Sequence, residues 1–159
     1  MSQLTHVDAT GQANMVDVND KLDSVRTASA EGRIYMSRDT IVAITSNQNK
    51  KGDVLSTAKI AGIMGAKKCS ELIPLCHPLM LSKIDVTIDI HEPDAYLLVQ
   101  ATCKLTGKTG VEMEALTAVN IALLTLFDMC KASDPGMLIS DIKVIHKTGG
   151  KNGEWRNLA

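Results

Sequence analysis

The sequence predicts an α+β fold of ferredoxin-like topology, an antiparallel sheet with helices packed on one face. Three observations carry that expectation. Ile84, Val86, Ile88 and Ile90 alternate with Asp85, Thr87 and Asp89, the period-two signature of a strand with one wet face. A second alternating run, Tyr96 to Leu105, follows after His91-Glu92-Pro93-Asp94, which reads as a hairpin turn. Helical segments flank this hairpin, and a last strand closes the order, so the helices share one side of the sheet.

Taken in order, residues 1–14 are polar and expected to be loosely ordered, leaving one domain over residues 15–159. Ser37 is placed to cap a short helix over Arg38 to Thr45, with Asp39 favouring its dipole. The polar run Ser46 to Gly52 has no hydrophobic anchor and reads as a mobile loop. Asp53 then caps a second helix running to about Lys68. It carries a stripe of small residues, Ala58, Ala61, Gly62, Gly65 and Ala66. Glycine inside a helix costs up to about 1 kcal/mol relative to alanine, so a close backbone approach is expected there. In the second run, Leu97, Val99, Ala101, Cys103 and Leu105 share one face. A long helix is expected from Val111 to Lys131 and a final strand from Leu138 to His146, before the glycine-rich tail 149–153.

Composition narrows the classes of function. At 159 residues the chain suits one domain, burying roughly 70% of its unfolded surface. It is 45% hydrophobic but only 3% aromatic, so its core is aliphatic. A net charge of −1 argues against broad nucleic-acid binding, which needs a basic face. Cys69, Cys76, Cys103 and Cys130 form no CxxC pair, and the first twenty residues hold no apolar run, so reduced thiols in the cytoplasm are expected. The uncharged stretch Ala115 to Phe127 falls short of the ~20 apolar residues of a membrane span, and no membrane role is expected.

Several motifs admit more than one reading. Gly107-Lys108-Thr109 matches the end of a phosphate-binding loop, but Thr102 stands where that loop needs its first glycine. Thr109 to Glu112 forms a capping box pattern, so Glu112 has a structural reading beside a chemical one. Asp128 and Lys131, spaced i, i+3, read either as a surface ion pair or as an acid–base pair in partly apolar surroundings. Pro74 and Pro78 bracket Leu75, Cys76 and His77 and stiffen them. Extended neighbours point opposite ways, so Cys76 and His77 form no dyad, and no second Cys/His pair stands at zinc-ligand spacing. His77 is a ligand-contact candidate or an internally satisfied histidine. Lys50, Lys51, Lys67, Lys68, Lys147 and Lys151 are ordinary singly; if several converge, they make a pocket for a polyphosphate.

One geometric constraint follows from helix geometry. Glu112 and Asp128, sixteen residues apart, lie roughly 24 Å apart along one helix and about 160° apart around it. They cannot reach one reacting group from the same chain. One of them is structural, or a second subunit completes the site.

Lys51-Gly52-Asp53, the run from Ile73 to Lys83, and the run from Leu105 to Thr117 resemble the cyclic pyranopterin monophosphate synthases, the molybdenum cofactor biosynthesis protein C family. Asp128-Met129-Cys130-Lys131, Lys147 to Lys151 and Met15 to Val18 continue the resemblance. It implies a ferredoxin-like catalytic domain over residues 15–159, assembled as a homo-hexamer, a trimer of dimers, with sites at subunit interfaces. It also implies a lyase that converts 3′,8-cyclo-7,8-dihydroguanosine 5′-triphosphate to cyclic pyranopterin monophosphate with release of pyrophosphate.

Carried over position by position, the resemblance makes Asp128 the catalytic acid–base, with Lys131 and Lys51 essential beside it. Leu75, Cys76, His77, Met113 and Glu114 then line the substrate pocket, and Glu112, Lys67 and Lys147 match site positions. His77 and Glu112 join Asp128 in proton transfers to ring nitrogens. No resident cofactor or protein-bound metal is expected; an Mg2+ ion carried in with the triphosphate is the one metal this reading admits. Two other classes compete. A ligand-sensing module would bind without releasing pyrophosphate, and a nucleotide phosphatase or kinase is disfavoured by Thr102.

Overall fold

The computed structural model describes residues 6–8, 10–46, 53–151 and 153–158. Its core is a mixed succession of strands and helices: β1 (Ser24–Tyr35), α1 (Arg38–Thr45), α2 (Val54–Lys67), α3 (Cys69–Leu72), β2 (Lys83–His91), β3 (Tyr96–Gly107), α4 (Glu112–Cys130), β4 (Leu138–Thr148) and β5 (Trp155–Arg156). The sheet order is β2-β3-β1-β4-β5 with every pairing antiparallel. Without the short edge strand β5, that is the ferredoxin-like arrangement of two β-α-β halves. The helices pack on one side of it, as the sequence predicts.

Most elements follow their local signals. The Ser37 hydroxyl accepts from the Thr40 amide to open α1, and Asp53 accepts from the Ser56 amide to open α2. Leu97, Val99, Ala101, Cys103 and Leu105 are all buried along β3, and Val86 and Ile88 are buried on β2. His91 still pairs with Tyr96, so the hairpin turn occupies residues 92–95, one position later than expected. The final strand runs two residues beyond His146, to Thr148.

The strand that hydrophobic periodicity does not announce is β1, the centre of the sheet between β3 and β4. Its inward residues Ala28, Ala30 and Gly32 are small because α4 crosses directly over them. A Cβ on Gly32 would sit 2.8 Å from Leu123 Cδ1 and 3.0 Å from Val119 Cγ1. The small stripe on α2 serves the next layer in the same way. A Cβ on Gly62 would lie 2.9 Å from the Ala118 carbonyl, and one on Gly65 would lie 2.7 Å from Ile121 Cγ1.

Helix α4 is therefore sandwiched, with the sheet on one side and α2 on the other. Its 19 residues are long and apolar enough, by length and composition, to cross a membrane. Here that apolarity builds the core, through fully buried Ala115, Ala118, Val119, Ala122, Leu123 and Leu126.

Candidate functional site

A cleft opens where the helix layer ends, at the first turn of α4. Strand β1 projects Ser24, Arg26 and Ala28 toward the helix side, since alternate residues share a face. Lys147 on β4 lies directly opposite Ala28, and opposed residues on antiparallel strands point the same way. With only a methyl group beside it, the Lys147 side chain reaches Glu112, and Nζ donates to Oε1 at 2.9 Å. Both side chains are about one-third exposed.

This pair corrects one expectation. Thr109 does not cap α4: the helix begins after Val111, and no side chain caps it. The Glu112 carboxylate is turned to Lys147 instead, and it folds over Gly110, where a Cβ would collide with it. A long-range ion pair has displaced the local capping box.

Leu75, Cys76, His77, Met113 and Glu114 join Glu112, His6, Leu79, Thr109 and Gly110 around one cavity of about 190 Å³. The turn after α3 aims this loop, with the Cys76 amide donating to the Ile73 carbonyl at 3.1 Å. His77 Nε2 lies 2.9 Å from the Val16 carbonyl, so one ring nitrogen is engaged by the chain preceding β1. Lys108 fastens the same stretch, donating from Nζ to the Asn19 carbonyl at 2.7 Å. Its ammonium thus holds backbone rather than standing at the mouth of a phosphate loop.

Glu114 is the buried carboxyl of the site, only 3% exposed. Burial pushes its pKa up, partly offset by hydrogen bonds from its own amide and from Cys69. Behind it lie the thiols of Cys69 and Cys103, each pushed up to about 12 by burial, and Cys76, raised for the same reason. Thr117 Oγ1 lies 3.4 Å from Cys69 Sγ in the same network. Cys69 and Cys103 are therefore protonated packing groups, while the half-buried Cys76 lines the cavity itself.

Asp128 and Lys131 stand at the other end of α4. Lys131 Nζ is 2.7 Å from Asp128 Oδ1, and both side chains are more than half exposed. Lys67 is exposed in the last turn of α2 and does not line the cleft. Lys51 lies outside the described residues. One chain thus gathers Leu75, Cys76, His77, Glu112, Met113, Glu114 and Lys147 at the start of α4, with Asp128 and Lys131 roughly 24 Å further along its axis.

A MoaC family model matches residues 15–150. The chain belongs to the MoaC family. That membership places it in molybdenum cofactor biosynthesis. The match spans both ends of α4, the His77 loop and the Lys147 strand end, so it includes every described residue of the two clusters. Residues that sequence reading passed over also border the cleft. Arg26 comes from the unanticipated β1, and Trp155 with Glu154 from the two-residue β5 and the turn before it. His146 and Arg156 both bond Glu154 Oε1, at 2.8 and 2.9 Å, and hold that turn against β4.

Proposed function

We propose that the protein is a cyclic pyranopterin monophosphate synthase, a lyase acting on 3′,8-cyclo-7,8-dihydroguanosine 5′-triphosphate. The observation that carries this reading is the convergence of His77, Glu114 and the Glu112–Lys147 pair on one cleft, in a chain of this family. The reaction opens the guanine ring, closes a pterin, and forms a cyclic phosphate when a ribose hydroxyl attacks the α-phosphorus and pyrophosphate leaves. Opening and closing the rings moves protons at several nitrogens, work for Asp128, His77 and Glu112. The displacement builds charge on the leaving pyrophosphate, which lysine ammonium groups offset. Lys147, Lys131 and Lys51 are assigned to that charge, and Leu75, Cys76, Met113 and Lys67 to substrate contact.

Because Asp128 and Glu112 sit at opposite ends of one helix, the working site takes one end of α4 from each of two copies. The assembly proposed is a hexamer, a trimer of dimers, in the cytoplasm, with Mg2+ entering, if at all, on the triphosphate. The test is direct: purified protein is incubated with the cyclised triphosphate, and pyrophosphate and a fluorescent pterin derivative are assayed together. Both products are expected in equal amounts. Asp128→Asn should abolish turnover without altering the fold, and near-normal turnover of that variant would remove Asp128 from the mechanism. Binding without pyrophosphate release would make the chain a sensor instead.

A further inference from the structure

The family match begins at Met15, yet the segment before it reaches the site. His6 lines the cavity that holds Leu75, His77, Met113 and Glu114. It also lines an adjoining cavity of about 150 Å³ with Val16, His77 and Thr109. His6 and His77 border both spaces, so two imidazoles from distant parts of the chain face one opening. The chemistry assigned above uses His77 and leaves His6 idle.

A built turn, not a loose tail, presents His6. Asp8 is its hub: Oδ1 accepts from the Thr10 amide at 2.8 Å, the Thr10 hydroxyl at 2.7 Å and the Gln12 amide at 2.9 Å. Gly11, at φ +85°, lets the chain reverse there. Val7 pairs with Ala13 across the turn, and the Asn14 amide donates to the His6 carbonyl at 2.9 Å. Two residues after Asn14 comes Val16, whose carbonyl holds His77, so one short strap steadies both rings.

Backbone carbonyls also decide which nitrogen of each ring is open. A carbonyl oxygen only accepts, so the ring nitrogen facing it carries the hydrogen. His6 faces the Asn14 carbonyl with Nδ1 at 3.3 Å, which leaves Nε2 to exchange a proton. His77 faces the Val16 carbonyl with Nε2 at 2.9 Å, which leaves Nδ1. Each ring is anchored through one nitrogen and open at the other, as a proton carrier needs to be.

We propose that His6 is a second catalytic histidine at the ring end of the site: its Nε2 touches the substrate's ring system and carries protons beside His77. The proton role rests on the lyase reading above; the contact does not. Opening the purine puts a proton on the nitrogen that leaves, and closing the pterin removes one from the nitrogen that attacks. A charged His6 gives its Nε2 proton to the first and takes one back from the second. The imidazole ends each turnover as it began.

Two measurements on the intact protein test this. In the pyrophosphate assay, His6→Ala should lower kcat roughly 100-fold with KM little changed, the size of a lost acid–base group. His6 is exposed, so the variant should fold. Imidazole added to the solution should restore part of the rate, which it would not do for a merely structural residue. His6→Gln, which fills the space without moving a proton, should stay slow. His91→Ala, whose ring stacks on Tyr96 at 4.5 Å, should keep the wild-type rate. The second measurement needs no turnover: diethyl pyrocarbonate labels open imidazole nitrogens, and mass spectrometry locates the label. The cyclised triphosphate should shield His6 and His77 and leave His91 as reactive as before. A wild-type rate in His6→Ala, a loss that imidazole leaves untouched, or labelling of His6 that the triphosphate does not change overturns the proposal. If the wild type releases no pyrophosphate but the triphosphate still shields His6, the lyase reading falls and the contact stands; if it does neither, both fall.

Discussion

If each site joins the start of α4 from one copy to the end of α4 from another, two dead enzymes should revive each other. Asp128→Asn destroys the C-terminal half of a site and Lys147→Ala the N-terminal half, so each variant alone should be inactive. A site formed between unlike copies has two orientations, and one of them draws intact Lys147 from the first variant and intact Asp128 from the second. With equal amounts and random assembly, the chance is one half for each half-site, so about a quarter of wild-type activity should return. The structure makes single-chain rescue impossible, since Asp128 and Glu112 are separated by roughly 24 Å of rigid helix. The assay is pyrophosphate release after co-expression of differently tagged variants and purification through both tags in turn.

A second mixture sharpens the result. Wild type combined one to one with the double variant also gives about a quarter if sites are shared, but about a half if each chain holds its own. Absence of recovery in the first mixture together with half activity in the second would refute the two-copy site.

Three further outcomes follow from packing and charge. Gly65→Ala should destabilise the fold by about 1–2 kcal/mol in a denaturant titration, because the new methyl meets the Cβ of branched Ile121, and overpacking outweighs the helix-propensity gain of up to about 1 kcal/mol. Asp134 accepts from the Ser37 amide at 2.7 Å and from Thr40 Oγ1 at 3.1 Å; partial burial raises its pKa, but these bonds win and hold it below 3.8. Asp134→Ala should therefore cost about 1–2 kcal/mol at neutral pH, and the wild-type advantage should fade as pH drops below 3.8. Glu114 behaves in the opposite sense: its folded pKa lies above 4.5, so the folded state holds the proton longer and stability falls as pH rises from 4.5 toward the raised value. In Glu114→Gln that part of the stability-versus-pH curve should flatten, and an unchanged slope would show that Glu114 ionises as freely in the fold as in the unfolded chain.

What was legible in the sequence is what local chemistry decides. Ser37 and Asp53 announce their helices because a cap needs only a side chain and an amide three residues on. The β2–β3 hairpin is legible because Ile, Val and Leu alternate with polar residues on strands that have one wet face. Strand β1 is the most central and the least visible, for a physical reason. Its inward positions must be Ala28, Ala30 and Gly32 to admit α4, and small residues carry little hydrophobic signal. Arg26 was passed over together with the strand that holds it. The capping box misled in the same way: Glu112 satisfies the local pattern, but Lys147, thirty-five residues on, offers a charge that an amide cannot match.

The fold also gives a reason for the division that the proposed site requires. On α4, packed between the sheet and a second helix, the charged side chains stand only near the two ends. Between them, Ala115, Ala118, Val119, Ala122, Leu123 and Leu126 are fully buried, and the inner faces of these turns pack against β1 and α2. Glu112, Met113 and Glu114 occupy one free end and Asp128 with Lys131 the other. A ligand that needs both sets cannot be served by widening one pocket, because the inner faces of the intervening turns build the core. In the proposed two-copy site, a second copy of the chain would bring the two ends together without disturbing that core, so the packing that stabilises one subunit would leave the reaction to a pair of them.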